Sequence, residues 1–212
     1  MTGHQSVRDK LEAGLKTLAL DAPEAVVDGL LTYMEELREW SGTYNLVAAG
    51  EGARLLQRHV LDSLSIVHFL QPGALLDIGT GAGLPGLPLA ILDPCRPVTL
   101  IDSAGKKIRF IRHVGRTLQL TNIEPLQERI ENLEKSRVFA NITSRAFASL
   151  AKFVTAARPA ADKKTLLLAM KGNYPHGELE ALPDWVSVES VEVLAVPGLH
   201  VARHLVMMTL SK

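Results

Sequence analysis

A run of closely spaced glycines directly follows a short apolar segment of this chain. Residues 74–78 read Ala-Leu-Leu-Asp-Ile, and glycines follow at positions 79, 81, 83 and 86. Apolar residues resume over 87–92 in a pattern typical of a helix. Glycine allows positive φ and lets a ligand approach the main chain closely. The run therefore predicts a strand, a glycine-rich loop and a helix start, an arrangement that holds nucleotide-like cofactors.

Strand and helix patterns alternate beyond this loop. Strands are predicted at 74–78, 97–102, 122–126, 138–143 and 165–170, and helices at 86–92, 104–119, 129–134 and 149–160. Two β-rich segments, 185–196 and 203–210, are separated by Pro197-Gly198 and predict an antiparallel pair. The pattern indicates an α/β fold with a Rossmann-like, doubly wound sheet that is mostly parallel and ends in an antiparallel C-terminal hairpin.

The first 70 residues lack this alternation and predict helices. Apolar residues follow a helical period in 7–19 and again in 26–40, and a third helix is predicted over 54–70. Composition predicts a loop at 41–45. We therefore expect two parts, a helical N-terminal extension at 1–72 that packs on the core and a cofactor-binding domain at 73–212.

Composition narrows the class of protein. The chain has 212 residues and a single cysteine, Cys95, which excludes an internal disulfide. No apolar run reaches the roughly 18 residues of a membrane span, and the N-terminus lacks the apolar core of a secretion signal. We expect a cytoplasmic protein with no membrane partner and no obligate protein partner. No His/Cys cluster has metal-ligand spacing, so no metal is predicted.

Charge is zero overall but unevenly distributed. The segment 105–116 holds five basic residues and no acidic one. They are Lys106, Lys107, Arg109, Arg112 and Arg116. A local basic patch attracts a phosphate backbone even when the whole molecule is neutral. We predict that this helix binds RNA, with a merely solvated helix face as the alternative.

The glycine loop fits two cofactor patterns. The segment 81–86 has the dinucleotide spacing Gly-x-Gly-x-x-Gly, and 77–83 has the spacing Asp-x-Gly-x-Gly-x-Gly typical of S-adenosylmethionine (SAM). Asp77 favours SAM, because a carboxylate beside the loop repels a pyrophosphate but suits the cations of SAM. Asp102, after the next strand, suits ribose hydroxyls in either case. A dinucleotide, or a tight turn with no ligand, remains an alternative.

Several motifs along the chain match one family. They are Arg-His-Val-Leu-Asp-Ser at 58–63, the loop at 77–86 with its Leu-Pro-Gly ending, Ile-Asp-Ser-x-x-Lys-Lys-x-Arg-Phe at 101–110, Ser-Arg-Ala-Phe-Ala at 144–148, Met-Lys-Gly at 170–172 and Arg-His-Leu at 203–205. On these motifs the chain resembles the bacterial small-subunit ribosomal RNA methyltransferase G family, formerly called glucose-inhibited division protein B. Residues 40–47 read Trp-Ser-Gly-Thr-Tyr-Asn-Leu-Val and depart from the family's Trp-Asn-x-x-Tyr-Asn-Leu-Thr. This departure leaves the substrate role of that segment open.

The resemblance implies a class I SAM-dependent methyltransferase that methylates N7 of guanine 527 in the 530 loop of 16S ribosomal RNA. Its partner would be 16S RNA, the 30S subunit or an assembly intermediate. The implied SAM contacts are Gly79, Leu84, Ile130, Glu131 and Arg145. The loop pattern and the strand ends add Gly81 and Asp102 to this set.

Chemistry at N7 needs no general base, because the guanine N7 lone pair carries no proton. We therefore predict no catalytic acid or base. Arg145 and Lys171 are predicted to orient the base through guanine O6, and they stand clear of N7, where a cation would oppose the developing charge.

Three other groups of residues have two interpretations each. Arg58, His59 and Asp62 are expected to form a helix-end hydrogen-bond network, or else to close the cofactor pocket. Trp40 is expected to pack in the core, or else to stack on a base together with Tyr44.

The third group, Arg203-His204, is expected to end the hairpin, or else to touch RNA. For the whole chain, the alternative functions are a SAM-dependent enzyme acting on a small molecule or a protein, and a non-catalytic nucleotide-binding module.

Overall fold

Strands and helices alternate as the sequence predicts. The computed structural model describes residues 2–47, 54–134, 136–145 and 147–211. Within these ranges the strands are β1 Leu75–Ile78, β2 Val98–Ile101, β3 Ile123–Leu126, β4 Asn141–Ser144, β5 Leu166–Lys171, β6 Val186–Val193 and β7 His204–Leu210. The α-helices are α1 Thr2–Thr17, α2 Glu24–Tyr44, α3 Asp62–Leu64, α4 Gly86–Leu92, α5 Gly105–Thr117, α6 Leu150–Ala157 and α7 His176–Glu180.

The described strands form one sheet in the order β3-β2-β1-β4-β5-β7-β6. The first five strands of the chain pair in parallel, and β7 lies antiparallel between β5 and β6. The chain reverses direction across the sheet at β1, between β2 and β4, and ligands bind at such a switch point beyond the carboxyl ends of the strands. The predicted α/β fold and the antiparallel C-terminal hairpin are confirmed.

Two hydrophobic clusters cover the two faces of the sheet. On one face, α2, α4 and α5 bury side chains such as Leu30, Leu87 and Phe110. On the other face, α6 buries Leu150 and Phe153. The cluster on the first face runs without interruption from α1 and α2 into the sheet, so residues 1–72 and 73–212 share a core. The boundary between them as separate parts stays a prediction.

The predicted loop at 41–45 is wrong, because α2 continues through Tyr44. The Ser41 hydroxyl donates to the Leu37 carbonyl one turn earlier, at 2.5 Å. Trp40 and Tyr44 place their ring centroids 5.3 Å apart along the same helix face. Asn45 ends the helix with φ of +51° and donates its N–H to the Ser41 carbonyl. Side-chain packing thus extends the helix through polar residues that composition assigns to a loop.

The predicted third helix at 54–70 is helical in a different form. A π-helical turn at Leu56–Leu61 leads into α3, and a 3₁₀ turn follows at Val67–Phe69. Two other predicted helices are shorter than expected: 129–134 contains one 3₁₀ turn, Ile130–Asn132, and α6 gives way at Arg158 to a 3₁₀ turn that contains Pro159, which lacks a backbone N–H.

Two further differences concern the second half of the chain. Strand β4 begins at Asn141 and not at 138, because the Phe139 N–H bonds to the Ala160 carbonyl outside the sheet. Helix α7 was not predicted at all. Among the described helices, none is long and apolar enough to cross a membrane.

One buried hydrogen bond ties the N-terminal helices to the glycine loop. The Tyr33 hydroxyl, on α2, donates to the Ala82 carbonyl at 2.9 Å. Tyr33 is fully buried, and its ring lies 6.3 Å from that of Phe110 on α5. Burial raises the pKa of Tyr33, so the hydroxyl keeps its proton and its role as donor. Helix α2 therefore supports the loop directly.

We expect Tyr33→Phe to lower the free energy of unfolding by about 1–2 kcal/mol, because it removes one buried hydrogen bond while keeping the ring. Urea unfolding at pH 7 measures this. Tyr44→Phe is the matched control, since Tyr44 is 36% exposed, and its change should stay within about 0.5 kcal/mol. Equal losses in the two variants would contradict the role of the Tyr33 hydroxyl.

Candidate active site

The glycine loop follows β1 and adopts a backbone that only glycine accepts readily. Gly79, Gly81 and Gly83 have φ of +67°, +61° and +84°. Gly86 is required for a different reason, because a Cβ at that position would lie 2.4 Å from Leu100 Cδ2 and 2.9 Å from Asp77 Oδ2. Close packing of α4 against the sheet therefore excludes any side chain there.

Asp77 holds this loop in shape. Its Oδ2 accepts hydrogen bonds from the Thr80 hydroxyl at 2.7 Å and from the Gly86 N–H at 2.9 Å. The side chain is fully buried, and burial raises the pKa of Asp77 to about 6, although both hydrogen bonds favour the ionised form. The sequence interpretation placed this carboxylate next to the cations of SAM, whereas its contacts here are with the loop itself.

A cavity of about 330 Å³ opens beyond the carboxyl ends of β1 and β2, and we call it the Gly79 cavity. Its lining residues are Ile78, Gly79, Ile101, Asp102, Ser103, Glu128, Arg129, Ile130, Glu131 and Phe147. Four residues predicted to bind the cofactor are among them. The volume is at the lower end of the range for small-molecule sites.

Asp102 organises one side of the Gly79 cavity. Its Oδ2 accepts from the Gly81 N–H at 3.0 Å and from Lys107 Nζ at 3.1 Å, and its Oδ1 accepts from the Ala104 N–H at 2.9 Å. A carboxylate offers about four acceptor positions, so one remains for a ribose hydroxyl. Gly81 does not line the cavity itself, and it contributes to the site by donating its N–H to Asp102.

The residues of this cavity fit SAM. Ile101 and Ile130 would provide aliphatic walls for a flat adenine ring, and the Glu131 carboxylate would provide an acceptor for an exocyclic amine. These roles stay predictions. Leu84 differs from the other predicted contacts, because it is 5% exposed and packs in the hydrophobic cluster with α2 and α4. Its contact with the cofactor stays a prediction.

A second cavity of about 330 Å³ lies near the carboxyl ends of β4 and β5, and we call it the Arg145 cavity. Its lining residues are Arg58, His59, Asp62, Arg145, Met170, Lys171, Gly172 and Arg203. The two residues predicted to orient a base, Arg145 and Lys171, meet here. Arg145, also predicted as a SAM contact, is not among the residues that line the Gly79 cavity.

The two cavities are neighbours along one short segment of chain. Phe147 lines the Gly79 cavity, and its carbonyl lies 3.5 Å from Lys171 Nζ, which lines the Arg145 cavity. Arg145 precedes Phe147 by two residues. Ala146, part of the motif at 144–148, lies outside the described residues.

Arg145 is fixed by three groups from the π-helical turn and α3. It donates to the Arg58 carbonyl at 3.1 Å and to His59 Nδ1 at 3.0 Å, and its Nη1 lies 3.6 Å from Asp62 Oδ2. Arg203 Nε donates to the other oxygen of Asp62, Oδ1, at 3.0 Å. The 58–62 motif thus forms the expected hydrogen-bond network, and this network lines the Arg145 cavity. None of its three residues is among those that line the Gly79 cavity, so the alternative that they close the cofactor pocket gains no support.

The titratable groups of the network are held in defined states. Burial, together with the charges of Arg145, Arg58 and Arg203, lowers the pKa of His59 to about 3. The imidazole is therefore neutral at pH 7, with Nδ1 accepting from Arg145 and the proton on Nε2. Burial raises the pKa of Asp62, while Arg145 and Arg203 oppose that rise.

Arg203 ends the hairpin as expected, because its carbonyl accepts from the Leu194 N–H at 2.8 Å, and the residue also lines the Arg145 cavity. Strand β7 pairs with β5 so that His204 faces Lys171, which brings the preceding Arg203 beside Gly172. Predicting this requires the position of β7 within the sheet, which local sequence does not reveal. Glu178 was missed because α7 was not predicted: it accepts from Lys171 Nζ at 2.7 Å and from the Leu150 N–H at 2.6 Å.

The predicted RNA-binding helix, α5, divides its basic residues between two places. Lys106, Arg109, Arg112 and Arg116 are exposed. Lys107 is half-buried and bound to Asp102 at the Gly79 cavity. Trp40 packs against Phe110 and His113 of the same helix, in agreement with the core-packing interpretation. The RNA role of α5 stays a prediction.

Comparison with known proteins identifies one family. A family model described as rRNA small subunit methyltransferase G matches residues 27–206. The protein named ribosomal RNA small subunit methyltransferase G from Stenotrophomonas maltophilia (strain K279a) is 44% identical over 204 residues, covering 96% of this chain and 95% of its own length. The protein of that name from Salmonella schwarzengrund is 42% identical, covering 93% and 98%. That from Psychrobacter sp. is 49% identical, covering 83% and 79%.

Solved structures show the same fold at low identity. Coclaurine N-methyltransferase bound to N-methylheliamine and SAH has a TM-score of 0.58 at 14% identity, covering 91% of this chain and 74% of its own. The Bacillus subtilis M1A22 tRNA methyltransferase TrmK has a TM-score of 0.56 at 13% identity, covering 73% and 67%. The fold of this chain is that of class I SAM-dependent methyltransferases.

The raised pKa of Asp77 gives a pH-dependent prediction. Between pH 3.8, the ordinary pKa of an aspartate, and about pH 6, the Asp77 carboxyl is protonated in the folded state but ionised in the unfolded chain. The stabilisation from this proton is therefore fully present below pH 3.8 and is lost as the pH rises to about 6. The unfolding free energy of Asp77→Asn minus that of the wild type should therefore rise by about 2 kcal/mol from pH 4.5 to 7.5.

Urea unfolding of both proteins across this range measures the difference. Asp162→Asn is the control, because backbone donors lower the pKa of Asp162 below its ordinary value and its titration falls below the range. A flat difference for Asp77→Asn would show that the buried carboxyl titrates normally.

Proposed function

The chain belongs to the rRNA small subunit methyltransferase G family, and from this membership we propose that it methylates N7 of guanine 527 in the 530 loop of 16S ribosomal RNA. The activity, SAM-dependent methylation of ribosomal RNA, follows from the family. The atom and the nucleotide are the proposal. It is supported by the donor-rich Arg145 cavity, which lies next to the cavity that fits SAM.

The chemistry of the Arg145 cavity suits the edge of guanine that carries N7. That edge presents two acceptors, O6 and N7, and no donor. The cavity presents donors on Arg145, Lys171 and Arg203, and its one lining carboxylate, Asp62, already accepts from Arg203 and lies 3.6 Å from Arg145. A donor from Arg145 or Lys171 to O6 would orient the base and leave N7 facing the methyl donor.

Methylation at N7 requires no proton acceptor, and the neutral His59 of the site is not available as one. SAM, when bound, supplies an electrophilic methyl group that bonds to N7 as its carbon–sulfur bond breaks. No proton leaves N7, so no residue must accept one. His59 agrees with this, because it is neutral and its Nδ1 already accepts from Arg145.

The site residues then act through position and charge. Gly79, Asp102, Ile130 and Glu131 would hold the methyl donor on one side of Phe147, and Arg145 and Lys171 would hold the base on the other. Alignment of two bound reactants is by itself a large part of catalysis. Positive charge develops on the purine during transfer, so these cations must stand at O6 and away from N7.

The proposed substrate is 16S RNA, free or within the 30S subunit or an assembly intermediate. The four exposed basic residues of α5 would contact its backbone. A cytoplasmic location is part of this proposal, because ribosomes are assembled there.

Tritiated SAM supplied with 30S subunits, with naked 16S RNA, or with neither RNA tests the proposal directly. The tritium label should enter the RNA, and borohydride–aniline treatment should cleave the labelled RNA at position 527. Label in RNA that resists this cleavage would overturn N7 as the acceptor. Label in small molecules or protein alone would favour the alternative function.

We expect Arg145→Ala and Lys171→Ala each to slow single-turnover methylation about 10- to 100-fold at saturating SAM, the loss of one hydrogen bond from a charged donor. Lys152→Ala, an exposed lysine on α6, should leave the rate unchanged. Thermal unfolding checks that each variant is folded, since Arg145 also supports the network. Wild-type rates in both site variants would refute the orienting role.

A further inference from the structure

A third cavity, of about 260 Å³, adjoins the Arg145 cavity, and we call it the Arg54 cavity. It is lined by Gln57 and Arg58 of the π-helical turn and by Arg54, which precedes that turn by two residues. Residues 198–201, between β6 and β7, line the other side. Arg58 lines both cavities. The segment 194–203, which we call the β6–β7 segment, also contributes to both cavities. His200 lines the Arg54 cavity, and Arg203 lines the Arg145 cavity.

The walls of this cavity are packed tightly together. Gly198 has φ of +71°, and a Cβ at this position would lie 3.2 Å from Gln57 Cγ. The Leu199 N–H donates to the Val196 carbonyl at 3.1 Å, which closes a turn around the glycine. The β6–β7 segment is therefore seated directly on the π-helical turn.

The lining side chains offer hydrogen-bond donors and positive charge. The cavity is lined by two guanidinium groups, the Gln57 amide and the His200 imidazole. None of the lining residues that the structure describes carries a carboxylate. Guanidinium groups match the geometry of phosphate oxygens and remain charged at any physiological pH. These groups suit a small anion with several oxygens.

We propose that the Arg54 cavity binds a phosphodiester group of the substrate RNA, next to the nucleotide whose base enters the Arg145 cavity. This inference rests on the proposed function. Enzymes that modify a base within folded nucleic acid take it out of the stack into a pocket. The base and the phosphate of one nucleotide are then neighbours, as the two cavities are neighbours through Arg58.

The salt dependence of binding tests the contact. Arg54→Gln should weaken binding of 16S RNA about tenfold and reduce the slope of log K against log salt concentration by about 1. Affinity for SAM should not change, since Arg54 is not among the residues that line the Gly79 cavity. Arg38→Gln, an exposed arginine on α2, is the matched control and should change neither quantity.

A single neutral phosphate locates the contact. Ribosomal RNA with one methylphosphonate beside guanine 527, made by ligating a synthetic segment, should bind wild type about tenfold more weakly than unmodified RNA. Arg54→Gln should not distinguish the two RNAs, because the contact is already lost. The same methylphosphonate should still weaken binding by Arg112→Gln, whose side chain lies on α5.

Two results would overturn the proposal: an unchanged salt slope in Arg54→Gln, or equal losses from the methylphosphonate in wild type and Arg54→Gln. Either leaves the proposed function intact if wild type still methylates guanine 527. Failure of wild type to methylate ribosomal RNA would instead overturn the proposed function. Thermal unfolding and SAM affinity distinguish a misfolded variant from a lost contact, and His200→Gln provides a second variant of the same cavity.

Discussion

The buried carboxylate of Asp77 holds the cofactor side of the molecule in shape. It bonds to the Thr80 hydroxyl and the Gly86 N–H, and so fixes both ends of a loop whose glycines have positive φ. Burying a charge is unfavourable, and the raised pKa of Asp77 reflects that cost. Tyr33 supports the same loop at Ala82. The loop is thus held from the sheet side and from the N-terminal helices before any ligand binds.

Asp62 has the corresponding role on the acceptor side. Its two oxygens face two guanidinium groups, Arg203 at 3.0 Å and Arg145 at 3.6 Å. A buried carboxylate between two arginines neutralises part of their charge and fixes where their remaining N–H groups point. Removing it would leave two cations close together without compensation. The π-helical turn before Asp62 contributes too, because it brings the Arg58 carbonyl to Arg145.

Local patterns in the sequence predicted the sheet, the glycine loop and the cavity residues that follow strand ends. They failed where distant segments meet. Asp62 and Arg203 are 141 residues apart and join only because β7 inserts beside β5. Lys106 and Lys107 are adjacent and look equivalent, but successive helix positions point about 100° apart. One is therefore exposed while the other binds Asp102.

The position of β7 in the sheet also orders the assembly of the site in time. Residues that line the Gly79 cavity lie between 78 and 147, whereas Arg203 immediately precedes the last strand of the sheet. During synthesis from the N-terminus, the cofactor half of the site therefore has all its residues well before the acceptor half does. A nascent chain that has formed β1 to β5 still lacks one of the two arginines that share Asp62. Asp62 gains its second arginine partner, Arg203, only when β7 joins the sheet.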